Sequence, residues 1–313
     1  MKHICKQGII LVILFLILTA CSQKTSLSLE WIPFYWEGDT ISGKYVEKAY
    51  LYIPVKIDNL PHDFTMQLDL GTYGTQFYGN AIRPYLDEYP SLADKSGSAR
   101  GVDSIVFKHI NLQMGTVGFN DVDVWRRRNF GDVIPKDSIH SATPKHIGTI
   151  APDLFRDKVL TIDYKAGRLA VSDSLPAEYK DLPAEEFELA DGIIKLPFRI
   201  NGKACTLMFD TGSSPFQIVT TKERALEISN SIITDSLSGP LWWGNEITFY
   251  GLEINKPVAF GGKTLQNGKV FYDKEGLWEE VYNSFHVWGI TGNACFFENT
   301  IIIDYKNKLF RVK

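Results

Sequence analysis

The sequence predicts an all-β protein, mostly strands with short helices, that folds as two similar lobes. Three observations support this prediction. Short runs rich in Val, Ile, Phe and Tyr, bounded by Gly and Asn, dominate the chain, as expected for strands and turns. The second half repeats the pattern of the first half. Each copy also carries an aspartate directly after an apolar run, with glycine two positions later.

The internal repeat is clearest around two aspartates, Asp69 and Asp210, which lie 141 residues apart. Their surroundings read MQLDLGT (66–72) and LMFDTGS (207–213). Other pairs at the same separation are TIDYK (161–165) and IIDYK (302–306), Gly148 and Gly289, and Gln76 and Gln217. Residues 53–57 match residues 196–200 at a separation of 143, which predicts a hairpin longer by two residues in the first copy.

Each copy is expected to contain a hairpin, a strand that ends at the aspartate, another strand and a short helix. The first helix is predicted for residues 81–89, after Asn80. The second is predicted for residues 225–228, because Thr220 and Glu223 form a capping-box pattern ahead of it.

Prolines and charged residues between the two copies indicate a linker. Residues 174–186 contain Pro176 and Pro183. The predicted divisions are a signal peptide (1–20), an N-terminal lobe (21–175), a linker (176–190) and a C-terminal lobe (191–313).

The Asp-x-Gly loops are suited to acid–base chemistry. The apolar strand fixes the loop in the core, glycine lets the backbone turn closely, and nearby N–H and hydroxyl groups hydrogen-bond the carboxylate. Two such loops, one from each lobe, would bring two carboxyl groups together, so that they share one proton and titrate as a unit. The residues expected to support the loops are Gly71, Thr72, Thr211, Gly212 and Ser213.

These motifs resemble the pepsin and retropepsin superfamily of aspartic peptidases, specifically its duplicated bacterial members with a lipoprotein signal. The resemblance covers nearly the whole chain after residue 20. It implies a pepsin-like double β-barrel built from a duplicated retropepsin-like unit, with Asp69 and Asp210 as the catalytic residues. It also implies that residues 289–294 (GITGNA) pack beneath the second loop and that residues 300–311 form a closing strand pair.

The first copy departs from the family pattern at two positions. Leu70 stands where Thr or Ser is expected, and Ala151 stands where the second copy has Gly292. Family members use the hydroxyl at the first of these positions to grip the opposite loop, so only Thr211 could contribute half of that grip here. A half-made grip could leave a buried backbone group unpaired, at a cost of about 1–3 kcal/mol.

The N-terminus has the pattern of a lipoprotein signal. Lys2 and Lys6 precede an apolar run at residues 9–18, and Leu-Thr-Ala-Cys follows at residues 18–21. We expect cleavage before Cys21 and attachment of lipid, including palmitate, which would tether the protein to a membrane of the cell envelope. An uncleaved anchor and a plain secretory signal are the alternatives. Ser22 after the cysteine favours the outer membrane if the cell has one.

Composition excludes several function classes. The net charge is −4 with both signs interspersed, so no nucleic-acid surface is predicted. The basic run Arg126 to Arg128 is interpreted as a solvated strand end. Because CxxC, HExxH and GxSxG patterns are absent from the sequence, we expect no metal, no cofactor and no α/β-hydrolase. Cys205 and Cys295 are predicted to be buried thiols, although a disulfide between them stays open. The protein is expected to be a monomer.

Two functions compete. The first is a lipid-anchored extracytoplasmic aspartic endopeptidase acting on peptides or proteins. The second is a weakened or inactive relative that binds extended peptides between its lobes, which Leu70 favours. The retained Asp69 and Asp210 favour the enzyme. Ser96 to Asp103 is either a flap or a plain loop, and Trp242, Trp243 and Gly244 either line a groove or belong to the core.

Overall fold

A computed structural model of the chain describes residues 29–98, 105–242, 244–265 and 267–313. The predicted signal peptide, Cys21, Trp243 and most of the candidate flap (99–103) lie outside these ranges. The described chain is all-β with a few short helices and forms two lobes, which confirms the predicted fold class. No helix in the described ranges is both long and apolar enough to span a membrane.

The first lobe contains β1 (Ile32–Pro33), β2 (Tyr35–Ile41), β3 (Lys44–Ile57), β4 (Phe64–Leu68), β5 (Gln76–Tyr78), α1 (Gly79–Glu88), α2 (Pro90–Ala93), β6 (Ser96–Ser98), β7 (Ile105–Met114), β8 (Val117–Arg127), β9 (Lys145–Ile150), β10 (Val159–Asp163) and β11 (Arg168–Ser172). The rest of the chain contains β12 (Ala184–Glu186), β13 (Glu188–Ala190), β14 (Ile193–Ile200), β15 (Lys203–Phe209), β16 (Ile218–Thr220), α3 (Lys222–Ile228), β17 (Ser229–Trp242), β18 (Asn245–Ile254), β19 (Val258–Phe260), β20 (Lys263–Thr264), β21 (Lys269–Asp273), α4 (Glu279–Phe285), β22 (Gly289–Thr291), β23 (Thr300–Asp304) and β24 (Leu309–Val312). Short 3-10 turns lie at Lys136–Ser138, Pro152–Phe155, Ala177–Tyr179 and Asn293–Cys295. The predicted linker thus includes β12 and β13.

The two lobes share one strand order. It is β3-β4-β9-β5-β8-β7-β6 in the first lobe and β14-β15-β22-β16-β21-β18-β17 in the second. In both lobes the strand before the aspartate, β4 or β15, pairs parallel with β9 or β22. That partner pairs antiparallel with β5 or β16, which in turn pairs parallel with β8 or β21. Shared order and shared directions are what duplication of one unit would produce.

Strand register confirms that residues 53–57 and their counterparts 196–200 are separated by 143 residues. Ile53 lies opposite Met66, and Leu196 lies opposite Leu207. Since Met66 and Leu207 are 141 residues apart, the first hairpin is longer by two residues, as predicted. Gly148 and Gly289 are also equivalent, because they pair with Met66 and Leu207 respectively.

The match between Gln76 and Gln217 is wrong. Gln76 lies opposite Thr149, whereas Ile290, the counterpart of Thr149, lies opposite Val219. Val219, and not Gln217, is therefore the structural equivalent of Gln76. The loop that follows Asp210 is two residues longer than the loop that follows Asp69, and this length difference shifts the register.

A third sheet joins the lobes, with the order β1-β11-β10-β23-β24-β12. Its central strands are the equivalent strands β10 and β23, which pair antiparallel. Thr161 lies opposite Ile302, which is its own counterpart in the repeat. An approximate two-fold axis therefore passes between these residues and relates the two lobes.

Both predicted helices form, but their caps differ from the predicted ones. Helix α1 begins at Gly79, and the Asn80 amide donates to the Gly131 carbonyl (3.0 Å) and does not cap the helix. In α3 the cap is Thr221, whose side chain accepts from Arg224 N–H (3.4 Å). Thr220 instead donates its hydroxyl to the Trp288 carbonyl.

Glycine at the two β9/β22 positions lets neighbouring strands approach closely. A Cβ on Gly148 would lie 2.2 Å from the Gln76 carbonyl oxygen, and on Gly289 2.4 Å from the Val219 carbonyl oxygen. Gly148→Ala and Gly289→Ala should each lower the unfolding free energy by about 1–3 kcal/mol, since backbone atoms must shift. Urea unfolding measures this. Gly118→Ala is the control, because its Cβ meets nothing within 4 Å; an equal effect in all three variants would contradict the close approach.

Candidate active site

Equivalent backbone hydrogen bonds hold the two aspartates in place. Asp69 N–H donates to the Ile150 carbonyl at 2.9 Å, and Asp210 N–H donates to the Thr291 carbonyl at 3.0 Å. The acceptors belong to β9 and β22, the parallel neighbours of the strands that end at the aspartates. Each aspartate therefore leaves the end of a buried strand in the same way.

The structure brings the two predicted aspartates together where the lobes meet. A Cβ on Gly71 would lie 2.3 Å from Asp210 Oδ1, and a Cβ on Gly212 would lie 2.9 Å from either carboxyl oxygen of Asp69. Each glycine thus packs directly against the aspartate of the other loop. The two carboxyl groups are close enough to hydrogen-bond one another when one is protonated.

The two carboxyl groups have different hydrogen-bond partners. Asp210 accepts from Gly212 N–H at Oδ1 and from the Ser213 hydroxyl at Oδ2, both at 2.8 Å. Asp69 accepts from Gly71 N–H at 3.0 Å. Donors that point at a carboxylate stabilise its charged form. The second loop is therefore better equipped to hold negative charge.

The electrostatics of Asp69 point the same way. Burial raises the pKa of Asp69 well above its usual range, and the neighbouring Asp210 raises it further. The Gly71 N–H and the positive charge of Arg127 oppose this rise without reversing it. Two adjacent carboxyl groups in a buried site cannot both ionise easily, so we assign the shared proton to Asp69.

Half of the grip between the loops is present. The Thr211 hydroxyl accepts from Leu70 N–H and donates to the Leu68 carbonyl, both at 2.8 Å, so one side chain ties the second loop to the first. Leu70 is fully buried and has no hydroxyl with which to make the mirror-image bonds. The structure therefore agrees with the expectation that Thr211 makes its half of the grip and that Leu70 cannot make the other half.

The first loop has its own brace, which the sequence did not reveal. Thr75 N–H lies 3.1 Å from both carboxylate oxygens of Asp153, and the Thr75 hydroxyl donates to Oδ1 at 2.7 Å. The same hydroxyl accepts from Ala151 N–H at 3.2 Å. Burial raises the pKa of Asp153, while the Thr75 bonds favour its ionised form.

The second loop is braced from beneath by Asn293. Its buried amide donates to the Thr211 carbonyl (2.8 Å) and to Ser214 Oγ (3.1 Å). A Cβ on Gly292 would lie only 2.0 Å from the Ser213 carbonyl oxygen, so the longer second loop requires glycine there. The shorter first loop leaves room for Ala151, which explains the second departure from the family pattern.

The two carboxyl groups open into a cavity of about 410 Å³ between the lobes. Its described lining is largely apolar and aromatic, and Arg127 is the one basic residue among the described lining residues. The lining residues are Ile41, Ala49, Tyr50, Gln67, Asp69, Gly71, Thr72, Tyr73, Tyr78, Arg127, Phe130, Met208, Asp210, Gly212, Ser213, Pro215, Phe216, Gly244, Trp278, Val281, Phe285 and Ile290.

Two hairpins from different lobes meet at one side of the cavity. Ser238 N–H, on β17, donates to Ser42 Oγ in the β2–β3 turn at 2.7 Å. Asp235 accepts from Lys44 (2.6 Å) across the lobes and from Lys269 (2.9 Å) within its own lobe. The β17–β18 hairpin is equivalent to β6–β7, which contains the candidate flap. Gly244, which lies between β17 and β18, lines the cavity from the second lobe.

The remaining residues singled out from the sequence are Thr72, Cys205 and Cys295. Thr72, which corresponds to Ser213, accepts from Gln76 at 3.4 Å. Cys205 and Cys295 are free thiols and only partly buried. Within the described ranges, no group of three His, Cys, Asp or Glu side chains is placed to hold a metal ion.

Arg127 is the lining residue that the sequence interpretation missed. The basic run after β8 was its only signal, and the expected solvated strand end is wrong for this residue, which is half-buried in the cavity lining.

No family model matches the chain, and no curated protein matches it. Among solved structures, basic 7S globulin from soybean is similar to it with a TM-score of 0.45 and 10% sequence identity, over 91% of this chain and 97% of that one. A likeness this distant carries no conclusion about activity.

Thr211→Val should weaken the junction between the loops. It removes the acceptor of Leu70 N–H and the donor to the Leu68 carbonyl, and both groups are buried. We expect a loss of about 2 kcal/mol or more in chemical denaturation. Thr211→Ser keeps the hydroxyl and should stay within about 1 kcal/mol of wild type. If the two variants unfold alike, the hydroxyl does not hold the loops together.

Stability should depend on pH through Asp69. Because the folded pKa is raised, the folded protein keeps a proton that the unfolded chain releases near about pH 4. The stability that this group contributes is present below that pH and is lost as pH rises through the folded pKa. The free energy of unfolding of Asp69→Asn, measured by thermal unfolding, should therefore rise relative to that of wild type across this window. The rise should be about 1.4 kcal/mol for each pH unit by which the folded pKa exceeds the unfolded pKa. Asp123→Asn, at an exposed position, should show no such trend. If the difference in unfolding free energy between Asp69→Asn and wild type does not change with pH, the assignment of the proton to Asp69 is wrong.

Proposed function

We propose that the protein is an aspartic endopeptidase that cleaves peptides or proteins outside the cytoplasm. The observation that carries this proposal is the packing of one carboxyl group from each lobe against the glycine of the opposite loop. Both groups face a cavity between the lobes. A site that only binds a neutral ligand would gain nothing from two buried, mutually repelling carboxyl groups.

Asp210 is the base and Asp69 the acid in the proposed reaction. A water molecule between the carboxyl groups gives a proton to ionised Asp210 while its oxygen attacks the peptide carbonyl carbon. The Asp69 O–H hydrogen-bonds the developing oxyanion. Asp210 then passes its proton to the amide nitrogen, the C–N bond breaks, and one water has been consumed for one acid and one amine formed. Hydrogen bonds from Gly212 and Ser213 stabilise Asp210 in its ionised form.

The lipid anchor on Cys21 and a location in the cell envelope are part of the proposal. They rest on the sequence pattern at residues 18–21, which lies outside the described ranges. The substrate would then be an envelope or extracellular polypeptide, bound as an extended strand between the lobes.

Leu70 is the observation that favours the second candidate, a protein that binds extended peptides without cleaving them. It removes one half of the grip, and a loosened junction could leave the carboxyl groups too far from catalytic geometry. Thr211 and the buried Leu70 side chain still join the loops, so the enzyme remains the better supported function.

Cleavage of a peptide library between about pH 3 and 7 tests the proposal. Activity should fall as pH rises through the raised pKa of Asp69, because one carboxyl must stay protonated. Asp69→Asn and Asp210→Asn should each reduce cleavage by about 10²–10⁴-fold, and Asp123→Asn should not. A statine-type inhibitor should bind the wild type. A folded protein that binds these peptides but cleaves none of them would instead be the second candidate.

A further inference from the structure

A buried tyrosine of the first lobe reaches the loop that carries the aspartate of the second lobe. Tyr164 follows β10 in the sheet that joins the lobes, and its side chain is buried. Its hydroxyl donates to Asn293 Oδ1 at 2.7 Å. Its ring stacks on Trp36, with the two centroids 6.2 Å apart and the planes at 14°. Packing therefore fixes the ring, and the hydroxyl makes a hydrogen bond between the lobes.

The Asn293 amide lies between this hydroxyl and the second loop. Its nitrogen donates to the Thr211 carbonyl at 2.8 Å and to Ser214 Oγ at 3.1 Å. A backbone carbonyl can only accept hydrogen bonds, so the amide nitrogen has to face Thr211 and the amide oxygen has to face Tyr164. Both polar atoms of this fully buried side chain thus have partners, and its orientation is fixed.

The Thr211 carbonyl belongs to the same peptide group as an N–H that bonds the second aspartate. That N–H is the one of Gly212, whose nitrogen lies 2.8 Å from Asp210 Oδ1. The result is a chain of three hydrogen bonds that runs from Tyr164 through Asn293 and this peptide group to the carboxylate. Each amide in the chain accepts at its oxygen and donates at its nitrogen. Hydrogen bonds arranged in this way polarise one another, so the first donor strengthens the last.

The first lobe lacks the corresponding side-chain donor. Pro152 stands where the second copy has Asn293, at the repeat separation of 141, and proline has no donor. Tyr305, the counterpart of Tyr164, is also buried, but its hydroxyl has no hydrogen-bond partner in the described part of the chain. The two tyrosines are thus alike in burial and differ in whether the hydroxyl is bonded.

From this chain of contacts we propose that Tyr164 is a positioning residue for Asp210, and that its hydroxyl supports negative charge on the Asp210 carboxylate. It acts through Asn293 and the peptide group that joins residues 211 and 212. The consequence for catalysis, that Tyr164 helps to make Asp210 the base of the pair, rests on the proposed function. The support of charge does not.

The titratable groups described near Tyr164 keep one charge state between about pH 3 and 8. Burial raises the pKa of Tyr164 and the pKa of Tyr305, so both hydroxyls stay protonated. Burial likewise raises the pKa of Cys295 to about 11, so its thiol stays neutral. The Lys48 ammonium lies over the Phe297 ring, which packs against Tyr164. These groups are the same in wild type and in Tyr164→Phe, so they do not produce a difference in pH dependence between the two.

The pair of carboxyl groups is what titrates in this range. Asp210 faces Asp69 and accepts from Gly212 N–H and the Ser213 hydroxyl, while Arg127 acts on Asp69 from the cavity lining. If the hydroxyl of residue 164 only joined the lobes, its removal would cost the same stability whatever the charge at residue 210. Support of charge makes the cost larger when that carboxyl group is ionised.

A double-mutant cycle in the full-length protein tests the support of charge without any need for cleavage. Tyr164→Phe removes the hydroxyl and keeps the ring. The comparison is made at about pH 5.5, where the pair carries about one negative charge. Tyr164→Phe should raise the equilibrium constant of urea unfolding in wild type by a factor about threefold or more larger than in Asp210→Asn.

Tyr305→Phe is the matched control, because it removes an unbonded hydroxyl from the equivalent buried position. Its effect on unfolding should be equal in wild type and in Asp210→Asn. An effect of Tyr164→Phe that is also equal in the two backgrounds would make Tyr164 a purely structural contact and would overturn the inference.

The pH profile of cleavage gives a second measurement. On the acidic limb of the kcat profile the pair takes up its second proton. Tyr164→Phe should move this limb to higher pH by about half a unit and leave KM within about twofold of wild type. Tyr305→Phe should change neither. A lower kcat with an unmoved acidic limb would contradict the role of Tyr164.

The two measurements separate this inference from the proposed function. A protein that shows the coupling in the cycle but cleaves no peptide would retain the support of charge by Tyr164 and would not be an endopeptidase. A protein that cleaves peptides but shows neither the coupling nor the moved limb would remain an endopeptidase in which Tyr164 has no such role.

Discussion

The rest of the structure depends on the contact of two carboxyl groups across the junction of the lobes. Gly71 packs against Asp210 and Gly212 packs against Asp69, so each lobe contributes one carboxyl group and one glycine to the same contact. A side chain at either glycine would occupy the space of the opposing carboxyl group. The shared six-stranded sheet and the Thr211 bridge serve the same end, because they fix the lobes at the separation that this contact requires.

Duplication brought the two aspartates together, and divergence of the copies gave them different surroundings. In the first copy the loop is short, and Asp153 braces it through Thr75. In the second copy Ser213 adds a donor to the aspartate. In a symmetric pair the shared proton would reside equally on either carboxyl group. Unequal donors and unequal burial assign the proton to Asp69, which suits a reaction that needs one acid and one base.

Much of the fold was predictable because a repeat constrains distant residues jointly. The equivalence of Gly148 and Gly289 follows from a fixed separation, and strand pairing confirms it. The match of Gln76 with Gln217 failed because an insertion inside a loop changes register without leaving a local pattern. The position of Arg127 in the cavity lining was not predicted, because a basic run at the end of a strand does not indicate which of its side chains faces a cavity.

Leu70 weakens the hydrogen bonding between the loops without opening the junction. A fully buried leucine contributes about 1.5–3 kcal/mol through the hydrophobic effect, whereas the mirror-image hydrogen bonds would add about 0.5–1.5 kcal/mol each. The substitution therefore exchanges directional contacts for apolar packing of similar strength. Directional contacts fix geometry more narrowly than packing does, so the change bears on the precision of the Asp69 loop. That loop has gained the Asp153 brace, and its anchored Thr75 lies on the same short segment as Leu70. The first lobe thus holds its aspartate loop through a residue of the same lobe, while the second lobe supplies the cross-link.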